Sequence, residues 1–451
     1  MVSTLERHKT TTAIAGSWGL FAAVGLLMLG NGLLGTLLGI RSELEGFATA
    51  ATGVIMASYY GGFLLGSRVA PRILERVGHI RVFAALASLA SASPLVHSVF
   101  VTPAVWSTMR FVFGFCMAGL YIVAESWLNQ AATNKTRGRL LSVYMLVLMG
   151  GLGAGQLFLG VAAPTGFRLF VLASLFVSLA VVPISLSQGR APAFHAPETL
   201  DAATLWRLAP LGVIAGLVVG VTNGALVGIG PVYAVRVGFS SGQVAWLIGA
   251  ALMGSIVWQW PIGLASDHMP RRRAILLVTL AATAVAAAGT QIDGANLGLL
   301  SVVMFLFGGL TFPMYSLGLS HINDVISSDQ AVMASSLYVF ISGLGAIAGP
   351  LAAAYALDAF GSVGFWAMMA AAHAALGLYA SYRVAAVDDA VSTEDQKPWR
   401  PFPARASAVL ARVAKVRRPT SKNGDGLRGR AGGRASAPAA PQPPKGEQPR
   451  P

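Results

Sequence analysis

Leu29-Gly30-Asn31-Gly32-Leu33 lies inside an apolar stretch, and its Asn-Gly pair recurs 192 residues later as Asn223-Gly224. The same offset relates Gly46-Phe47 to Gly238-Phe239, and an offset of 192 or 194 relates further pairs. Self-similarity at one period over nearly half the chain marks a duplicated unit. In an apolar sequence it predicts two homologous membrane bundles with a site between them. The further pairs are Gly62 and Gly254, Glu75 and Asp267, Arg81 and Arg273, Phe111 and Phe305, Phe113 and Phe307, Gly114 and Gly308, Tyr121 and Tyr315, Asn129 and Asn323, Ser142 and Ser336, and Tyr144 and Tyr338.

The composition is that of a protein embedded in a lipid bilayer. Charged residues make up 11% of the 451 residues and apolar residues 55%, whereas soluble domains carry about 25% charged residues. Uncharged stretches such as 274–292 approach the ~20 residues that cross a bilayer. We therefore predict an all-α membrane protein with twelve transmembrane helices in two pseudo-symmetric six-helix bundles. The predicted spans are 13–40, 48–70, 79–100, 103–128, 140–163, 167–187, 208–235, 243–265, 274–292, 295–320, 331–356 and 362–384.

These spans divide the chain into four parts. The N-terminal bundle covers 1–187, a Pro-containing polar linker covers 188–207, and the C-terminal bundle covers 208–386. The tail, 387–451, is rich in Pro, Gly, Ala, Arg and Lys and poor in large apolar residues. Such a composition predicts disorder. The tail could bind anionic lipid or nucleic acid, but we favour a solvated basic tail without such a role and do not expect a nucleic-acid partner.

The placement of Lys and Arg predicts the orientation. Even-numbered connections and the N-terminus carry fourteen of these residues, against Arg41, Arg168 and Arg236 on the other side. Cytoplasmic loops are enriched in positive charge. We therefore expect both termini, the linker and the tail in the cytoplasm, in a multi-pass protein of the cytoplasmic (inner) membrane, and we expect a monomer.

Several sequence motifs occur in order along the two six-span halves. Gly263-Leu-Ala-Ser-Asp267-His-Met-Pro-Arg271-Arg272-Arg273 follows the eighth span, and Arg110-Phe-Val-Phe-Gly114 lies in the fourth. The first resembles the G-x-x-x-D-x-x-x-R-R loop signature of the major facilitator superfamily, and the second its R-x-x-x-G motif. Glu125-Ser-Trp-Leu-Asn129 and His321-Ile-Asn323-Asp324 are similar to the YcaD-type branch. The resemblance covers about 13–385.

The resemblance implies a gating role for the loop signature. Asp267 would accept backbone N–H bonds from a neighbouring helix start, held in place by Arg271 and Arg272, in a contact between the halves that exists in one access state only. We call this contact the latch. The first half carries a degenerate copy with Glu75 and Arg81. The alternative is that these charges only cap helix ends on the cytoplasmic side.

A polar stripe follows one face of the fourth span. At 100° per residue, Arg110, Tyr121 and Glu125 fall within about 80° of one another. An Arg within a span should face protein or water. Arg110 could therefore bind an anionic group of a substrate, or take part in proton coupling with a nearby acid. Glu43 and Glu45 are its better placed acidic partners. Alternatively, Arg110 is structural. Glu125 is the candidate proton carrier, or else an interfacial acid paired with Arg137 or Arg139.

Asn31 and Asn223 lie near the midpoints of the first and seventh spans. A buried Asn needs partners, which a ligand or an interhelical bond can supply. Their symmetric positions favour a central substrate site. Tyr121, Tyr315 and Tyr338 could add aromatic walls, although aromatic residues in spans also serve packing.

Three classes of function follow from this organisation. We predict a secondary active transporter for a small molecule, coupled to protons, with efflux as one of the two directions. A membrane sensor or scaffold that kept the fold is the alternative. A membrane enzyme lacks support, because no nucleophile–base pair or phosphate-binding loop is present. One cysteine, Cys116, excludes a multi-cysteine metal site, and we expect neither a metal nor a cofactor.

Overall fold

The structure is a computed structural model that describes residues 17–131, 136–186, 201–292, 296–327, 330–386 and 391–399. Within these ranges the regular structure is helical and no strand occurs. The first five spans are Trp18–Leu44, Thr49–Val77, His79–Val99, Pro103–Ala131 and Arg137–Leu157, followed by the 3-10 turn Phe158–Gly160. The sixth span consists of Arg168–Leu179 and Val181–Ser185.

The second half repeats this order. A short helix, Ala202–Leu208, precedes the seventh to tenth spans, which are Pro210–Arg236, Ser241–Asp267, Arg271–Gly289 and Leu297–Val325. The 56-residue helix Ala331–Ala386 contains the eleventh and twelfth spans. Gly361 breaks it with a φ of 63°, in the left-handed region that glycine enters most easily. The break falls between the two predicted spans.

Ten helices of the described residues are long and apolar enough to cross a membrane, the one that contains spans eleven and twelve counting once. The second span, Thr49–Val77, is not among the ten. It packs against the fourth span and also against the eleventh, across the two halves. The twelve-span fold predicted from the sequence is confirmed.

The predicted bundle boundaries stay predictions. Most of the predicted linker and the end of the tail lie outside the described residues, as do residues 1–16. Helix ends extend past several predicted spans, as in Thr49–Val77 against 48–70. The reason is that a helix continues beyond the apolar core of a bilayer, where hydropathy no longer marks it.

The repeated Gly-Phe pairs form the same turn in each half. After the first span, Gly46 N–H donates to Glu43 O (3.1 Å) and Phe47 N–H to Ser42 O (3.0 Å). After the seventh, Gly238 N–H donates to Val235 O (2.9 Å) and Phe239 N–H to Ala234 O (3.1 Å). Both glycines have a positive φ, 69° and 100°, as the Schellman cap requires. The sequence repeat is therefore a structural repeat.

The repeated glycines of the second and eighth spans mark two equivalent helix crossings. A side chain at Gly62 would overlap the carbonyl oxygen of Phe111, and one at Gly254 would overlap that of Phe305. Spans two and four, and spans eight and ten, therefore approach backbone to backbone, as small residues permit in membranes.

Replacing Gly254 with alanine should destabilise the second half. The added methyl group meets backbone atoms that can retreat only if the eighth and tenth spans separate, and overpacking of this kind costs about 1–3 kcal/mol. The midpoint of thermal unfolding of the purified protein should fall. Gly249→Ala is the control, because nothing lies within 4 Å of that position on the same helix. Equal midpoints for the two variants would show that the crossing is loosely packed.

Candidate functional site

Two adjoining cavities formed by described residues lie between the halves. The larger has a volume of about 70 Å³ and is lined by spans one, two, four and five of the first half and seven, eight and ten of the second. The smaller, of about 50 Å³, shares Tyr59, Tyr60, Val227 and Phe312 with it. Such volumes hold a few water molecules, so the cavities must widen to admit a metabolite. The polar residues of the larger cavity are Asn31, Thr36, Tyr59, Tyr60, Arg110, Gln156, Ser255 and Gln259.

Arg110 lies on the wall of the larger cavity. It is 5% exposed, and its guanidinium carbon lies 4.7 Å above the centre of the Tyr59 ring from the second span. A cation over an aromatic face is stabilised by the ring quadrupole. Its predicted acidic partners are engaged elsewhere, since Glu43 binds Arg236 (3.0 Å) and Glu45 binds Arg41 (2.5 Å). The residues that line this cavity include no Asp, Glu or Lys.

Asn31 and Asn223 lie one on each cavity. Asn31 lines the larger cavity and Asn223 the smaller, and both are more than nine-tenths buried. The amide nitrogen of Asn31 and both polar side-chain atoms of Asn223 lack a hydrogen-bond partner. Leaving a buried amide unpaired costs free energy. Two symmetric amides in this condition at adjoining cavities point to groups that a ligand or water satisfies.

Gln156 belongs to the cavity and was not predicted. Its Nε2 donates to Gly32 O (3.1 Å) and Leu152 O (3.3 Å), while its buried Oε1 has no partner and the residue lines the larger cavity. The repeat could not reveal it, because its equivalent at the offset of 194 is Pro350. A polar residue inside an apolar span is the signal that could have found it.

A network of charges joins the two halves at one end of the bundle, which we call the Arg236 end. Arg236 Nε lies 3.0 Å from Glu43 Oε1, and Arg236 Nη1 lies 2.9 Å from Asp358 Oδ1. Thr49 donates a hydrogen bond to Asp358 and accepts one from Arg236. Glu43 and Thr49 belong to the first half, and Arg236 and Asp358 to the second. Ion pairs and hydrogen bonds therefore join the two halves at this end.

The comparison with known proteins agrees with this architecture. A family model described as the Major Facilitator Superfamily matches residues 208–421. The chain is 27% identical over 338 residues to an uncharacterized MFS-type transporter of Yersinia enterocolitica, covering 72% of this chain and 85% of the relative. It is 25% identical over 333 residues to the uncharacterized MFS-type transporter YcaD of Escherichia fergusonii, covering 73% and 86%.

Solved structures share the fold. The nucleoside transporter NupG matches with a TM-score of 0.70 at 12% identity, over 82% of this chain and 99% of that one. A bacterial homologue of the human lysosomal transporter Spinster, in an inward-facing and unoccupied conformation, matches with 0.66 at 13% identity, over 90% and 98%. The chain has the fold of these transporters, and its sequence resembles transporters of the major facilitator type. The predicted resemblance to the YcaD-type transporters is confirmed.

In this major facilitator fold, Glu125 lies in a buried cluster of tyrosines. It is fully buried and accepts a hydrogen bond from Tyr144 (3.0 Å). Tyr315 of the second half is also fully buried. The ring centres of Tyr338 and Tyr315 lie 4.8 Å apart with the ring planes tilted by 51°, and Tyr121 donates to the sulfur of Met28 (3.1 Å). Tyr121, Tyr315 and Tyr338 are not among the residues that line the two cavities.

The two copies of the loop signature differ in their surroundings. Glu75 and Arg81 are exposed, whereas Arg271 and Arg272 are 3% and 5% exposed. Arg271 bridges two carboxylates, with Nη2 lying 2.8 Å from Asp267 Oδ1 and Nε 3.1 Å from Asp324 Oδ2. The superfamily signature is thus built as a buried ion cluster in the second half. We call this end of the bundle the Asp267 end.

Asp267 does accept a backbone N–H bond, but the donor belongs to the beginning of the tail. Trp399 N–H donates to Asp267 Oδ1 at 2.8 Å. We call the described residues Val391–Trp399 the strap. Tail residues were predicted to be disordered from 387 onward; the strap instead lies against the second half, and residues 400–451 lie outside the described residues.

Proposed function

We propose that this protein is a secondary active transporter that moves a small molecule, chemically unchanged, across the cytoplasmic membrane by alternating access. One observation carries the proposal: the cavities lie between two repeated halves, and ion pairs join these halves at the Arg236 end. A rocking motion of the halves would break these contacts and expose the cavities on the other side.

The substrate site that we propose is the pair of cavities. Arg110 would bind an anionic or multi-acceptor group of the substrate, with Asn31, Asn223 and Gln156 supplying further hydrogen bonds. Met56 and Phe312 offer apolar contact on the same walls. The cavities bring a few polar groups together on an apolar surface, as ligand sites generally do.

Proton coupling and orientation are further parts of the proposal. Glu125 would carry the proton, and its burial next to Tyr144 keeps it away from bulk water. The excess of Lys and Arg in the even-numbered connections supports cytoplasmic termini. With that orientation the Arg236 end faces outward and the Asp267 end faces the cytoplasm. Export would then load the substrate from the Asp267 end.

Labelling of a cysteine in the cavity tests alternating access without a known substrate. Ser255→Cys in a Cys116→Ser background places one thiol on the cavity wall. A membrane-impermeant methanethiosulfonate is applied to either face of oriented vesicles. We expect labelling chiefly from the face of the Asp267 end. Equal labelling rates from both faces in every variant would indicate an open pore and contradict alternating access.

Arg236→Ala should increase the labelling of the cavity cysteine from the face of the Arg236 end relative to that from the other face. It removes the two ion pairs with Glu43 and Asp358, and part-exposed pairs contribute about 0.2–1 kcal/mol each. The ratio of labelling from the two faces should therefore change about two- to thirtyfold. Arg168→Ala, which removes an exposed arginine at a helix start on the same side of the topology, is the control. If the ratio of labelling from the two faces is unchanged in Arg236→Ala, the charge network does not act as a gate.

A further inference from the structure

The strap binds the second half through its backbone. Lys397 N–H donates to Asp324 Oδ1 (2.9 Å), and Arg271 Nη2 donates to Lys397 O (2.6 Å). With the bond from Trp399 N–H to Asp267, three backbone groups of the strap meet charged side chains from the eighth, ninth and tenth spans. Hydrogen bonds to ionised groups are about twice as strong as neutral ones. The strap is therefore held by the same ion cluster that forms the loop signature.

Two side chains anchor the strap on either side of this cluster. The Trp399 ring is 8% exposed, lies over Gly263 where any larger side chain would overlap it, and meets Trp260 edge-on at 6.2 Å. The Lys397 ammonium donates to the carbonyls of Asn323 and Ile326 (3.0 Å for Ile326). These carbonyls lie at the C-terminal end of the tenth span, where a cation is favoured by the helix dipole. The surface thus fits this segment in both shape and charge.

We propose that the strap competes with the first half for Asp267 and so controls how often the Asp267 end closes; this rests on the proposed alternating access. Asp267 Oδ1 already accepts from Trp399 N–H and from Arg271. A first-half helix that approached Asp267 over Gly263 would have to displace the Trp399 ring, which packs on Gly263. A bond across the halves at this end would close it. The docked strap therefore favours the state that is open at the Asp267 end.

Two truncations separate the strap from the rest of the tail. A chain that stops after residue 399 keeps every strap contact, whereas one that stops after residue 390 removes all of them. Hydrogen exchange tests docking in the full chain, and we expect the amides of Lys397 and Trp399, both donors to carboxylates, to exchange at least tenfold more slowly than in a free peptide of the same sequence. Exchange at the peptide rate would overturn the proposal.

Cysteine labelling tests the competition. With Ser255→Cys as the reporter, stopping after residue 390 should lower labelling from the face of the Asp267 end at least threefold, while stopping after 399 leaves it unchanged. Trp399→Ala should act in the same direction as the longer truncation, and Glu394→Gln, an exposed change within the strap, should have no effect. Labelling that rises or stays constant without the strap would overturn the competition.

Arg236→Ala distinguishes this failure from that of the proposed function. If Arg236→Ala alters the labelling ratio and removal of the strap does not, the strap is a structural attachment and alternating access stands. If neither change moves the ratio, the cavities do not alternate between the two faces, and both proposals fall together.

Discussion

Replacing Arg110 with lysine should weaken substrate binding about ten- to hundredfold. Lysine keeps the charge but loses the planar fork that binds two acceptor atoms and that stacks on the Tyr59 ring at 4.7 Å. A hydrogen bond to a charged group contributes about 1.5–3 kcal/mol, which gives the range. Thermal-shift screening of the purified protein against metabolites identifies a ligand, since a compound that binds the native state stabilises it. Calorimetric titration then gives the dissociation constant of each variant.

Arg68→Lys is the matched control for this experiment. Arg68 also lies in a span and stacks on an aromatic ring, that of Phe340 at 4.1 Å, but it is not among the residues that line the cavities. Its replacement should leave the dissociation constant unchanged. Equal affinities for wild type and Arg110→Lys would make Arg110 a structural residue, which was the alternative interpretation of the sequence.

Glu125→Gln should abolish the response of transport to a pH gradient and leave exchange of substrate across the membrane intact. Glutamine has nearly the same shape and can still accept the hydrogen bond from Tyr144, so the buried cluster should keep its packing. It cannot take up and release a proton. Uptake of the identified ligand into proteoliposomes, with and without an imposed pH gradient, measures the difference.

Tyr144→Phe completes this comparison, because it removes the hydrogen bond to Glu125 and keeps the carboxylate. Transport by this variant should still respond to the gradient. If Glu125→Gln transports with an unaltered pH dependence, the residue is an interfacial acid, and a facilitator or another coupling ion becomes the better interpretation.

Hydropathy and the repeat predicted most of the fold because they report properties that each segment carries by itself. The pairs Gly46-Phe47 and Gly238-Phe239 were visible in the sequence and form identical turns. The contacts of Arg236 were not predictable in this way. In the sequence, Arg236 served only as a marker of orientation. Its partners Glu43 and Asp358 lie 193 and 122 residues away.

The candidate site was predictable where a single residue is exceptional for its span. Arg110, Asn31 and Asn223 fall on the cavities. The stripe on the fourth span predicted Tyr121 and Glu125 on the same wall, but the cavities end before them, because a helix face meets different neighbours along its length. The strap was missed for another reason. Most of its residues are polar, and the surface that holds them, with the ion cluster at Asp267, exists only after folding.

The glycine crossings have a mechanical consequence. Where backbones touch without intervening side chains, as at Gly62 and Gly254, no layer of flexible groups remains that could shear or absorb a displacement. Spans two and four should thus move as one rigid body, and so should spans eight and ten. A displacement of one span at such a crossing should therefore be passed directly to its partner. The contacts that can rearrange are then the side-chain contacts between the two halves, and each half should move as a unit relative to the other.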